Sequence, residues 1–171
     1  MSKYVSSVKD GFALIELIIT LGLVSIVIGL SFGTITFLQN MTLRSEINQL
    51  YTTCLHAQRC AQMTNKPQTI FIDLKNNCYC YNAFTHHLST HVYFGIIPGV
   101  KGPPSSPHKE LTKPTTFKNE CITFSPHGII ESGTLYLVSQ SKSVLYALSS
   151  PIAPYSYLRR YHYNGTWQLI T

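Results

Sequence analysis

Residues 12–38 read FALIELIITLGLVSIVIGLSFGTITFL, 27 residues that hold one charged side chain, Glu16. As an α-helix at about 1.5 Å per residue the run is about 40 Å long, against about 30 Å for the hydrocarbon core of a bilayer. Lys3 and Lys9 precede it. Cationic flanks stay on the cytoplasmic side, so the N-terminus is expected in the cytoplasm and the remainder exported. An ordinary signal peptide has an apolar core of about 7–15 residues and then a small-residue cut site. Ser31-Phe32-Gly33 could mimic such a site, but the apolar run continues through Ile35 and Leu38. A plain signal anchor fits the length and leaves Glu16 unexplained, because a carboxylate inside hydrocarbon costs about 3 kcal/mol unless it is paired.

Outward from this run the chain is ordinary. Its 171 residues suit one compact domain with an appendage. Only 12% are charged, about half the soluble norm of roughly 25%. That low charge and the 12% aromatic share exclude a disordered chain, while 10 Gly and 9 Pro exclude a collagen-like one. The length argues against a multi-domain enzyme. The net charge of +6 is mild, and Arg159-Arg160 is the only adjacent basic pair, so no nucleic-acid stripe is visible.

The helical pattern continues past the apolar run. Leu43, Ile47, Leu50, Cys54 and Leu55 recur on one face, with Arg44, Asn48, Thr52 and Arg59 elsewhere. Asn65-Lys66-Pro67 should end this helix near Thr64. A helix from Phe12 to Thr64 would be about 80 Å long, too long for a small globule and suited to a filament subunit. Strands are expected at 69–74, 78–81, 91–97, 121–124, 133–139 and 143–148, with a final hairpin at 161–171. Its Asn164-Gly165 pair matches a two-residue type I′ turn. Residues 83–118, rich in Pro and Gly, read as a long loop around one strand. The fold class is α+β: a long N-terminal stalk helix, transmembrane in its first half, on a mainly antiparallel head of about seven strands.

Residues 11–17, Gly-Phe-Ala-Leu-Ile-Glu-Leu, resemble the type IV prepilin signature. The resemblance implies that a membrane peptidase cuts between Gly11 and Phe12 and that the new Phe12 amine is methylated. Glu16 is the one group in the run able to pair with such an amine on a neighbouring subunit, which would set the register of assembly. Two departures stand beside this: Ala13 where many members have Thr, and Asp10 where many have Lys or Arg. Gly33 occupies the place of a common Pro. Ser25, Gly29 and Gly33, four apart, make a small-residue stripe where helices can approach closely.

Ile122-Thr123-Phe124-Ser125-Pro126-His127-Gly128, followed by Gly133-Thr134-Leu135-Tyr136-Leu137, is similar to the C-terminal half of the GspH/FimT family. Leu55–Ala61 is similar to that family's Ala-Arg-rich stalk end. The resemblance implies a cleaved leader (1–11), a transmembrane and filament-core helix (12–38), an amphipathic stalk (39–64) and a periplasmic β-rich head (65–171). It also implies a minor pseudopilin, a structural subunit of a type II secretion pseudopilus involved in protein export. The implied partners are the prepilin peptidase, other pseudopilins or pilins, an inner-membrane assembly platform, and membrane lipid before assembly. The implied location is the bacterial inner membrane, single-pass, with the head periplasmic.

Candidate chemistry is sparse. No carboxylate pair, P-loop, Gly-x-Ser-x-Gly or His-Glu-x-x-His occurs, so no enzyme, cofactor or metal is expected. His87 and His91 stand four apart but without the glutamate such a zinc motif needs. Asn40-Met41-Thr42 and Asn164-Gly165-Thr166 match the glycosylation sequon by chance. The five cysteines, Cys54, Cys60, Cys78, Cys80 and Cys121, leave three readings: disulfides of unknown pairing, buried free thiols, or a thiolate zinc site from the first four. A minor pilin binding DNA during uptake is the alternative function. It would use Arg159 and Arg160 among Tyr155, Tyr157, Tyr161, Tyr163 and Trp167. Alternating tyrosines beside a turn are equally what a half-buried hairpin needs.

Overall fold

The computed structural model describes residues 13–29, 37–104, 107–151 and 157–170 in full, and the backbone alone of 4–12 and 30–36. The chain divides into two compact units, Met1–Leu38 and Gln39–Thr171. Helix α1 (Tyr4–Thr64) contributes to both.

In the first unit, residues 13–29 are helical and exposed on every side, from Leu14 and Ile15 to Val27 and Ile28. A run of Leu, Ile and Val without Pro propagates a helix. Its hydroxyls turn back onto it, Thr20 Oγ1 donating to the Leu17 carbonyl and Ser25 Oγ to that of Leu21. The expected long stalk, transmembrane in its first half, is corrected here. The fully described helical residues fall into two stretches, 13–29 and 37–64, of 17 and 28 residues. The first would span about 26 Å, short of a hydrocarbon core of about 30 Å. The second carries Arg44, Glu46 and Arg59 among its apolar positions. Among the described residues no helix is long and apolar enough to cross a membrane. The single-pass inner-membrane location expected from sequence is withdrawn with it.

In the second unit the helix runs to Thr64, and Asn65 follows in the left-handed region at φ 52°. Its buried stripe is Leu43, Ile47, Leu50, Cys54, Ala57 and Ala61, spaced alternately four and three. Leu55, expected on that stripe, is only half-buried. Two antiparallel sheets close on it. One has the order β3-β2-β1-β5, from β1 (Gln68–Asp73), β2 (Cys78–Tyr81), β3 (Phe84–His87) and β5 (Cys121–Phe124). The other has the order β4-β6-β7-β8-β9, from β4 (Val92–Phe94), β6 (Gly133–Ser139), β7 (Leu145–Ser150), β8 (Arg159–Tyr163) and β9 (Trp167–Ile170). Among the described residues nine strands thus stand where about seven were expected. The added β3 is four residues long and mostly exposed, so its sequence carries no alternation to find it by.

The main core joins the helix stripe to Ile70, Tyr79, Ile122 and Phe124 of one sheet and to Leu135, Leu137, Tyr146 and Leu148 of the other. The second sheet is covered on its other face too. Tyr136, Val138, Leu145, Ala147 and Tyr161 form a separate cluster, against which Ile96, Ile97 and Leu111 pack. The Pro- and Gly-rich connection is therefore a strap rather than a free loop. Tyr136 N–H donates to the Pro114 carbonyl (2.9 Å), Thr116 N–H to that of Thr134 (2.9 Å), and Trp167 Nε1 to that of Lys101 (2.8 Å). Burial on both faces explains the near-continuous apolar reading of β6 and β7.

The β8–β9 turn differs from its expected type. Tyr163 pairs with Trp167, leaving Asn164, Gly165 and Thr166 as a three-residue loop, and only Gly165 takes a positive φ there. At the other end of the unit, the turn at 125–128 docks on the last helical turns. Gln58 Nε2 donates to the Gly128 carbonyl (2.7 Å). Gly128 sits at φ +79°, and a Cβ there would run into the Gln62 amide. Replacing Gly128 with Ala should cost about 1–2 kcal/mol from the left-handed backbone, and Gly128→Asn less. Paired urea melts of the two variants check this; equal stability of Gly128→Ala and the parent would refute it.

Candidate functional site

The helix stripe carries one charge into the core. Glu46, between Leu43 and Ile47, is 6% exposed. A carboxylate there needs partners for its oxygens, and β3 with the following loop supplies them. His86 Nε2 lies 2.9 Å from Oε2, Ser89 N–H donates to Oε1 at 3.1 Å, and the Ser89 hydroxyl donates to the same oxygen. Gln49 Nε2 stands 3.2 Å from His86 Nδ1. The ring is thus held at both nitrogens, by Glu46 at Nε2 and by the Gln49 amide at Nδ1. The His86 ring also leans on Tyr79, centroids 5.0 Å apart, and burial pushes the Tyr79 phenol up from its ordinary pKa.

Beside this cluster lies a cleft of about 540 Å³ between the helix and the β2–β3 hairpin. Its walls are mainly rings: His56, Tyr79, Tyr81, Phe84 and His86. His56 meets Tyr81 edge-on at 5.8 Å, while Phe84, on the outermost strand, is 80% exposed. The Ser89 hydroxyl is spent on Glu46 rather than His86, so these three groups form no relay toward a nucleophile.

No family model, curated protein or solved structure matches the chain.

The residues singled out from sequence are scattered over the molecule. Gly11 and Phe12 lie outside the fully described residues, as do Gly33 and Tyr155. Glu16 is exposed among apolar neighbours. All five cysteines are free. Cys54 lies in the core, where burial drives its thiol far above the ordinary range. Cys60, on the helix, is 3.7 Å from His56 Nε2. Cys78 and Cys80 share one face of β2, and Cys80 and Cys121 are cross-strand neighbours of Phe71 on either side. Burial raises both Cys78 and Cys121, with the Cys80 and Asp73 charges adding at Cys78 and those of Glu131 and Glu120 at Cys121. Cys54 belongs to the inner face and Cys78 and Cys80 to the outer, so the four-thiolate set is not assembled. Among the described residues no group of three or more His, Cys, Asp or Glu is placed to hold a metal.

The arginine pair is split by strand alternation. Arg160 points inward: its Nη1 donates to Asn48 Oδ1 at 2.6 Å, and its guanidinium lies 4.3 Å over the Tyr51 ring. Arg159 points outward, over Tyr157 at 4.6 Å. Tyr161 is buried in the second cluster, with Trp167 packed beside it. The Glu46–His86–Ser89 cluster escaped sequence reading because its members lie about 40 positions apart. The one available signal was Glu46 itself, a charge one residue before a stripe position.

Glu46→Ala should cost about 3 kcal/mol, the usual scale for breaking a buried pair, measured by urea unfolding. A loss under 0.5 kcal/mol, the scale of a neutral surface change, would show the cluster to be incidental. Arg160→Ala should cost about 1–2 kcal/mol for a charged hydrogen bond, and Arg159→Ala should stay within about 0.5 kcal/mol of the parent. Equal effects of the two would contradict the split described above.

Proposed function

We propose that the chain is a non-enzymatic structural subunit, a minor pseudopilin of the type II secretion class. The observation that carries the reading is the Gly11-Phe12 pair with Glu16 as the fifth residue from Phe12, at the head of an apolar run. Residues 13–29 add support. A helix apolar on all sides is stable in a protein only when others surround it, and equivalent helices of neighbouring subunits would do so. Glu16 is the single charge in this segment and would pair with the methylated Phe12 amine of a neighbour. The prepilin peptidase, other pseudopilins and the assembly platform are the partners this reading requires.

The DNA-uptake reading has less to stand on. A basic pair held on one surface was its main support, and Arg160 is committed to Asn48 and Tyr51. Arg159 alone offers a weak field to phosphates.

Two measurements test the proposal. Intact mass of the chain co-expressed with a prepilin peptidase should show a product starting at Phe12 and carrying one methyl group; a chain still starting at Met1 would sink it. Glu16→Ala should leave that cut unchanged and reduce crosslinking to other pseudopilins at least about tenfold, because it leaves the Phe12 amine of a neighbour unpaired in an apolar setting. Undiminished crosslinking would remove Glu16 from assembly.

A further inference from the structure

The cleft beside Glu46 has features that the structural-subunit reading does not use. Phe84, 80% exposed, leaves in water an apolar ring that burial would favour. Here that ring stands at the rim of a concave space whose other walls are also aromatic. At about 540 Å³ the space falls within the range of small-ligand sites, about 300–1,000 Å³. The chemistry of its walls is one-sided. Aromatic faces are electron-rich and attract cations. Among the described lining residues there is no Lys or Arg. Behind His86 lies the Glu46 carboxylate, its Oε2 2.9 Å from the ring Nε2. On the helix side, Gln49, Thr52 and Thr53 bring side-chain oxygens to the wall, able to accept from N–H groups. An anion would find no Lys or Arg among these walls to pair with, and a neutral apolar group would gain nothing from the electron-rich ring faces.

The geometry points to this cleft as a binding site for an organic cation, either a free quaternary ammonium or the charged end of a Lys or Arg side chain from a partner. Phe84 would cover the cation from the exposed side, with Tyr81 and His56 beneath and the Glu46 carboxylate behind His86. Cation–π contact of this kind discriminates by charge at constant shape, and that is how it separates from plain hydrophobic filling.

The test titrates the full chain calorimetrically with four probes: choline, its neutral isostere 3,3-dimethylbutan-1-ol, and the blocked amides of lysine and arginine. At least one cation should bind about tenfold more tightly than the neutral isostere, the scale expected for a partly desolvated cation–π contact. Tightest binding of choline marks a free ammonium ligand, and tightest binding of a blocked amino acid marks a partner side chain. Phe84→Leu, which keeps apolar bulk and loses the ring, should remove most of that advantage, while Phe84→Trp should keep it. Phe84 is exposed, so both variants should fold like the parent. Equal binding of choline and its isostere, no binding of any cation, or unchanged cation binding by Phe84→Leu would each overturn the proposal.

Discussion

Six helix positions, Leu43, Ile47, Leu50, Cys54, Ala57 and Ala61, form the surface on which both sheets of the larger unit close. Each sheet turns one apolar face toward this stripe. The stripe narrows toward its end, where alanines replace leucines, and there the chain comes close enough for Gln58 to reach the 125–128 turn. Burial of this kind is strong but not directional. Direction comes from polar ties along the stripe's margins. Glu46 holds β3 and the loop after it, Asn48 and Tyr51 hold Arg160 of β8, and Gln58 holds Gly128. One helix thereby orients one sheet through a carboxylate and the other through a guanidinium.

The two sheets meet different surroundings on their outer faces. The five-stranded sheet is covered by the strap that follows β4, so β6 and β7 are buried almost throughout. The four-stranded sheet keeps Phe71 exposed between Cys80 and Cys121. The cysteines follow this division. Cys54 behaves as a small apolar core residue, while Cys60 on the helix and Cys78, Cys80 and Cys121 in strands meet no other cysteine as a crosslink. Stability in this unit rests on packing and on a few buried polar ties.

Much was legible where a short-range rule governs. The helix end at Asn65-Lys66-Pro67, most of the strands, and the place though not the type of the turn at Asn164-Gly165 each follow from residues that are neighbours in sequence. Errors arose where distant residues decide. β3 reads as loop because Phe84-Thr85-His86-His87 is mostly exposed, and only pairing with β2 makes it a strand. The Pro-rich connection also reads as loop, and only the apolar face of β6 and β7 shows what it covers. The apolar run at the N-terminus is unmistakable in composition, yet composition alone led to a membrane span that the described helix is too short or too charged to make.

The sequence by itself determined the elements: a helix with one apolar stripe, a run of short strands, and an apolar segment around Glu16. These depend on periodicities of a few residues, which backbone geometry imposes wherever the chain lies. Tertiary structure alone decided which charges are structural and which are free. Arg159 and Arg160 are identical in sequence terms, and strand alternation sends one to water and the other to Asn48. Glu46 and His86 are unremarkable 40 positions apart, and become a buried pair because the edge strand folds back against the helix. A side chain's chemistry is set by its solvent and its partners, and those are fixed only when segments remote in sequence close on one another.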